Sequence, residues 1–347
     1  MKTIVSVNEI SEFEIKPKNE LANWRKIVSE EIKTTWGSKK DWVHIVCPVC
    51  NKTEYNPAFE KNGFEYVECD NCKTLYAKTR PNQNELKKWY LGSESVKFWK
   101  DQLLVKSAAS RDAKIVEPRS QWILDCVSEY ISSSSEQIQY LDISFFGKML
   151  VEKISEKTNN FNIISAGITA ARESYISKSI NVSPIENMDD YNKFSNIDVV
   201  VAFDSLDRSQ SIYQLIKNLE NVIKPGGLLF ATCPVSSGFE IQTLWDKSPS
   251  IFPPDKLNFP SVNGLMNLFN NSDEWSILEL STPGMFDVEL VKNELFNKSD
   301  VKLPRAIKAL LDGINKQGEG VFTEFLQSQR RSSFARIVIR RKREKIF

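Results

Sequence analysis

The chain has 347 residues, with 46 Lys+Arg against 45 Asp+Glu, 41% hydrophobic and 26% charged. At roughly 150 residues per domain, that length predicts about two domains with a sizeable core. The composition excludes a disordered chain, and the charge balance excludes a surface built throughout to grip nucleic acid or anionic lipid. No run approaches the ~20 apolar residues of a membrane span, and residues 1–16 lack the apolar stretch of a secretory signal. A cytoplasmic protein is the expectation. A single histidine, His44, excludes chemistry that needs paired histidines. The 13 glycines are about half the usual share of ~7%, so any ligand loop must manage with few.

In chain order, residues 3–8 read as a short strand. Residues 18–35 read as a helix, with Leu21, Trp24, Ile27, Val28 and Ile32 at helical spacing. Four of the 6 cysteines then fall in one stretch, as Cys47-Pro-Val-Cys50 and Cys69-Asp-Asn-Cys72 with 18 residues between the pairs. That is the spacing of a zinc ribbon, and it favours metal over a redox pair. Each CxxC turn aims two sulfurs the same way, and two turns complete a tetrahedron. Four protein ligands leave no open position, so the site reads as structural. The module spans about 43–78. His44, beside a full set of thiolates, reads as a bystander. Cys126 and Cys233, in apolar contexts, read as small core residues.

Pro81 opens a helical stretch at about 83–108. Helical spacing makes its Trp89, Tyr90, Phe98 and Trp99 core or interface residues rather than a stacking surface for substrate. A helix at about 118–132 follows Pro118, and Ser132–Ser135 reads as a linker. From 136 the pattern alternates. Ile138–Ile143 is a strand, 147–156 a helix, Phe161–Ser165 a strand, 169–178 a helix, and Ile197–Phe203 an almost wholly apolar strand. Ile212, Leu215, Ile216, Leu219, Val222 and Ile223 mark one face of a further helix. Pro225-Gly226-Gly227 breaks it before the strand Leu228–Thr232. This rhythm predicts an α/β fold, a doubly wound and mostly parallel sheet, with its ligand outside the carboxyl ends of the strands.

The segments Leu141-Asp-Ile, Ile197–Asp204 and Leu219–Phe230, with the turn Lys224-Pro-Gly-Gly227, resemble class I S-adenosylmethionine-dependent methyltransferases. The cysteine pairs and the segment Ile251–Phe259 are similar to a bacterial subgroup with an N-terminal zinc module, one commonly linked to sugar, polysaccharide or secondary-metabolite tailoring. The resemblance spans nearly the whole chain. It implies a seven-stranded sheet whose last two strands, Trp275–Ser281 and Phe334–Ile339, form an antiparallel pair around an insertion at 283–330. It divides the chain into an N-terminal strand and helix (1–42), a zinc module (43–80), a helical connector (81–135) and a methyltransferase-like domain (136–347). It places S-adenosylmethionine against Asp142, Ser144, Phe146, Gly147, Gly167 and Asp204.

At those positions the sequence departs from the family's pattern. The three close-approach glycines after the first strand are Ser144, Phe146 and Lys148, with Gly147 off register. The acid that binds both ribose hydroxyls is replaced by Gly167, which removes two charge-assisted hydrogen bonds worth ~3–6 kcal/mol together, or ~10²–10⁴ in affinity. The Glu-His pair after the fourth strand appears as Asp207-Arg208, and a later His as Lys256. Asp204 and Asp207 fit either a ligand site or the N-cap of the following helix. A proton acceptor for methyl transfer would have to be a carboxylate, a tyrosine or Lys256. Two classes follow. One is a methyltransferase acting on a small, sugar-like or secondary-metabolite acceptor. The other is a catalytically inactive pseudo-methyltransferase that binds or scaffolds a partner. A zinc-ribbon nucleic-acid binder is disfavoured by the +1 net charge. The basic stretch Arg340–Lys345 reads as a solvated end.

Overall fold

The computed structural model describes residues 1–6, 10–131, 137–297 and 303–343. The linker expected at 132–135 lies outside them. The N-terminal part carries α1 (Glu12–Ile15), α2 (Lys18–Trp36), β1 (Trp42–His44), β2 (Tyr55–Lys61), β3 (Phe64–Cys69), β4 (Leu75–Ala77) and β5 (Thr79–Pro81). The connector follows as α3 (Gln83–Gly92), α4 (Glu94–Phe98), a π-helical stretch at Trp99–Leu104, α5 (Ala108–Arg111), a second π-helical stretch at Asp112–Val116 and α6 (Glu117–Tyr130). Then come β6 (Ile138–Asp142), α7 (Lys148–Lys157), β7 (Phe161–Ser165), β8 (Ile180–Val182), β9 (Ile197–Phe203), α8 (Ile212–Val222) and β10 (Ile223–Pro234). The chain continues through α9 (Phe239–Leu244), β11 (Asn258–Phe259), α10 (Val262–Asn270), β12 (Trp275–Ser281), α11 (Asp287–Asn297), α12 (Arg305–Gly313), α13 (Lys316–Ser328) and β13 (Phe334–Arg341).

Seven strands form one sheet in the order β12-β13-β10-β9-β6-β7-β8. All neighbours from β10 to β8 pair in parallel, and β13 runs antiparallel to both β10 and β12. The doubly wound sheet and its closing antiparallel pair are therefore as expected. The chain runs outward from β6 to β8, then returns to β9 on the other side, so the switch point lies between β6 and β9. Burial explains the strand sequences. Every residue of Ile197–Phe203 is buried, because this central strand is covered on both faces. Helix α8 buries Ile212, Leu215, Ile216, Leu219 and Val222 on that sheet. At ~1.5–3 kcal/mol each, this contributes roughly 8–15 kcal/mol before entropy is subtracted.

The cysteine module is built into this core rather than hung beside it. Its own sheet has the order β11-β4-β3-β2, so a strand from residues 258–259 completes it. The buried Arg80 donates to Ala77 O and Leu257 O and to Asn258 Oδ1. Ser261 Oγ donates to the carbonyl of Cys72, and the Tyr213 amide donates to the carbonyl of Pro48.

Several local expectations are corrected. Residues 3–6 form no strand, and only Lys2 bridges, to Glu279; residues 7–8 of that expected strand are not among those described. The helix expected at 83–108 stops at Gly92, because the Ser93 hydroxyl accepts the Val96 amide and caps a new helix. The helix expected at 169–178 is a single 3₁₀ turn, Ala170–Arg172. Side-chain bonds hold the rest of that segment: Tyr175 Oη meets Ser165 Oγ at 2.7 Å, and Glu152 accepts the Ile176 amide. Strand β8 went unread, since its three residues carry no apolar run. Helix α8 ends at Val222, and Pro225-Gly226-Gly227 sits inside β10, where the pairing with β9 shifts register. Gly226 has φ +87°, a conformation open to glycine.

Candidate functional site

Two places gather chemistry. In the first, the turn after β1 brings Cys47 and Cys50 against Cys69, at the end of β3, and Cys72. The four Sγ atoms lie within 4.8 Å of one another, with Cys47–Cys72 at 3.4 Å and Cys50–Cys69 at 3.6 Å. Four sulfurs about 2.3 Å from one ion in a tetrahedron are ~3.8 Å apart, so the donor set fits a thiolate-bound metal. Hydrogen bonds from the Cys47 thiol and the Thr74 hydroxyl pull Cys72 below the usual thiol range, while burial pushes Cys69 above it. Four thiolates this close need a cation to coexist. His44 lies outside the set, with its Nδ1 bonded to Thr79 Oγ1 at 2.9 Å.

The second place is the carboxyl edge of the large sheet. A glycine-rich loop would turn away after β6 and open a crevice at the switch point. Here the chain instead continues the ladder. The Ile143 amide donates to Val201 O at 2.8 Å, and the Phe145 amide to Phe203 O at 3.1 Å. Ser144 stitches the same seam. Its amide and hydroxyl donate to the two carboxylate oxygens of Asp142, at 3.1 and 3.0 Å, and its hydroxyl accepts the Phe203 amide. Asp142 is fully buried, and burial pushes its pKa up to about 7 against the lowering effect of the two Ser144 bonds.

Phe145 is buried, with Tyr90 edge-on at 4.9 Å, Phe146 at 4.6 Å and the Arg208 guanidinium 4.1 Å from its ring. It packs in one cluster with Met188, against which Ile168 also lies. The connector seals this side, since Gln83 Nε2 donates to Met188 O and Lys87 Nζ to Ile185 O. On the side of Trp24, Trp89 and Trp99, the space beside Phe145 and Phe146 is only about 10 Å³, at most one water. Gly167 has no room for any side chain, because a Cβ there would clash with the carbonyl oxygen of Ser144. Gly147 is equally constrained, its Cβ direction running into the Asp142 carboxylate. So Asp142, Ser144, Gly147 and Gly167 come together, Asp142 and Gly167 walled in and Ser144 and Gly147 also bordering open space.

The open space lies further along the edge. A cavity of about 720 Å³ runs over the ends of β6, β9, β10 and β13, roofed by α2, the connector and the 283–290 segment. Its walls include Ser144, Phe146, Gly147 and Asp204 and take nothing from Ser165–Thr169 or Ile180–Asp189. Asp204, with φ +55°, is 39% exposed, and that exposure is to the cavity. Burial raises its pKa, but Arg119, Lys256, Arg208 and Arg111 together outweigh this and hold it low.

Neither Asp204 nor Asp207 caps α8; Ser211 does, accepting the Gln214 amide. Asp207 is fully buried and accepts from Arg208 Nη1 and Lys256 Nζ, while Arg208 also reaches Asp255 at 2.5 Å. Burial favours the neutral Lys256, yet Asp207, Asp255 and Asp204 keep its pKa raised, so it is a poor proton acceptor. One wall group escaped the sequence reading. Glu240 is fully buried, its Oε1 accepts from Ser248 Oγ, and its Oε2 has no partner. Burial pushes it up to about 7. Only its position six residues past β10 marked it in sequence.

No family model matches the chain, and no curated protein matches it. Its fold is similar to solved methyltransferase structures. One is coclaurine N-methyltransferase bound to N-methylheliamine and SAH, at 14% identity and TM-score 0.41, covering 66% of this chain and 72% of that one. Another is the plantazolicin methyltransferase BpumL with SAH, at 9% identity and TM-score 0.43, covering 74% and 94%. A third is loganic acid methyltransferase with SAH, at 11% identity and TM-score 0.40, covering 70% and 97%. At these identities the likeness is one of fold alone, a doubly wound seven-stranded sheet; this chain's chemistry has to come from its own cleft.

Proposed function

We propose that this protein is a pseudo-methyltransferase: a methyltransferase-type sheet, stapled by a structural zinc, that binds a small molecule in the cavity beside the switch point without using S-adenosylmethionine. The reading rests on one observation above the others. Phe145 is buried in one apolar cluster with Met188, Ile168 packs against that cluster, and Gly167 leaves no room for a ribose-binding acid. The residues present do not fit the cofactor, so no methyl-transfer step is derived. The cavity itself has a size usual for small-ligand sites. Zinc is the reading for the four thiols because tetrahedral all-cysteine sets with this spacing suit it. Among the described residues no helix is long and apolar enough to cross a membrane. Calorimetric titration with S-adenosylmethionine and S-adenosylhomocysteine tests the reading. The expected result is no binding tighter than millimolar; micromolar binding of either would restore the methyltransferase reading.

A further inference from the structure

We propose that Arg111 and Arg119 form a recognition site for an oxyanion, a carboxylate or a phosphate, carried by a small molecule with an apolar body. This rests on reading the cavity as a ligand site and names the class of ligand.

Most cations of the cavity wall are matched by carboxylates. Lys100 faces Glu173 at 3.2 Å, Arg336 faces Glu279 at 2.7 Å, and Arg208 and Lys256 share Asp207 and Asp255. Lys16 faces Glu12 and Lys114 faces Glu14, whereas Arg25 and Lys148 stand without a carboxylate partner among the described residues. Arg111 and Arg119, at the end of α5 and the start of α6, are set apart by acting on each other and on Asp204. Among the described residues no carboxylate lies within ion-pair reach of Arg111, and its Nε donates to Ser107 Oγ at 2.9 Å. Arg119 has only Asp204, at 4.0 Å. Two guanidiniums thus share one carboxylate, a surplus of one positive charge inside a cavity.

Both side chains are already oriented. The Arg119 guanidinium lies 5.0 Å from the Phe203 ring and 5.6 Å from the Phe334 ring, so aromatic faces fix its plane. Ser107 fixes Arg111 at Nε and leaves its two terminal nitrogens available. A fixed planar fork suits an oxyanion better than a flexible ammonium does. Burial lowers the pKa of both groups, Arg111 to about 10. An incoming anion would relieve that penalty. Apolar side chains line the same cavity, among them Trp24, Leu104, Ile115, Phe252 and Leu290. An unmatched guanidinium pair in a cavity with much apolar lining suits an amphipathic anion.

The test uses two fluorescent probes with the same ring body, 1-anilinonaphthalene-8-sulfonate and the uncharged N-phenyl-1-naphthylamine, titrated into the full-length protein and its Arg111→Met and Arg119→Met variants. The sulfonate should bind about tenfold or more weakly to each variant, while the neutral probe changes by less than about twofold and so reports an intact cavity. Competition of bound sulfonate by octanoate and by octyl phosphate then identifies which oxyanion the site prefers. If the sulfonate and the neutral probe weaken together, or the sulfonate is indifferent to both substitutions, the inference is overturned while the cavity reading stands. If neither probe binds the unmodified protein, the cavity reading fails and takes this inference with it.

Discussion

The cysteine module and the switch-point seam are both short motifs in the sequence, yet they differ in what residue types can say. In the module the chemistry belongs to side chains. Four thiols at two CxxC turns meet within 4.8 Å, as their spacing requires. At the seam the chemistry of a nucleotide loop belongs to the backbone, and glycines matter there for the space they leave. Once they are gone, the residue names say only what is missing. The structure supplies the rest: Ser144 ties β6 to β9 through its hydroxyl, and Phe145 extends the ladder where a loop would have opened.

The largest effect should come from breaking the module. In a Cys47→Ser/Cys50→Ser variant, bound metal should fall from about one equivalent to none. Structural zinc carries ~10–16 kcal/mol of binding free energy, more than most domains' whole stability. The module should therefore unfold, and the loss should spread, because β11 of the main domain is one of its strands. A variant that kept both its metal and its melting temperature would show that the four thiols are not the ligands.

The seam should be sensitive in a different way. Gly167→Ala should destabilise by about 1–3 kcal/mol in urea titration, because the added methyl overpacks the Ser144 carbonyl. A neutral result would mean that the turn after β7 has slack enough for an acid, and the contrast between the two regions would narrow.

Glu240 supplies a pH-dependent test of the cavity wall. Burial, with Asp287 and Glu12 nearby, holds its folded pKa at about 7, above the 4.5 of the unfolded chain. Its stabilising contribution is therefore whole below about pH 4.5 and is lost as pH rises through about 7. Glu240→Gln keeps an acceptor for Ser248 and removes the charge. It should stabilise the protein by about 1–3 kcal/mol at pH 8 and not at pH 4. Equal effects at both pH values would mean that the carboxylate is solvated. Smallest of all, His44→Ala should change metal content not at all and stability by less than about 0.5 kcal/mol.

What was legible in the sequence follows the same division. The apolar run Ile197–Phe203 and the one-sided helix Ile212–Val222 are found where their patterns place them, because burial on known faces writes itself into residue type, and the closing strands Trp275–Ser281 and Phe334–Ile339 where the resemblance placed them. Pairings across long separations left no local trace. Nothing near Asn258 announces that it will pair with Tyr76, and nothing near Gln83 that it will bond Met188 O. The failed helix after Thr169 was lost to side-chain bonds from Ser165 and Glu152, which no periodicity reveals. Among the site residues, the cysteines could be read from spacing. Glu240, Arg111 and Arg119 could not, since only the fold brings them to one cavity.

The central claim is that the chain after β6 continues the ladder with β9 instead of forming an open loop. Site-resolved hydrogen exchange, with and without 1 mM S-adenosylhomocysteine, tests it most directly. The account predicts that the amides of Ile143 and Phe145, bonded to Val201 O and Phe203 O, are protected in the free protein and unchanged by the nucleoside. Fast exchange at Phe145 in the free protein, becoming slow when S-adenosylhomocysteine is added, would contradict it and show an open loop that closes on a cofactor.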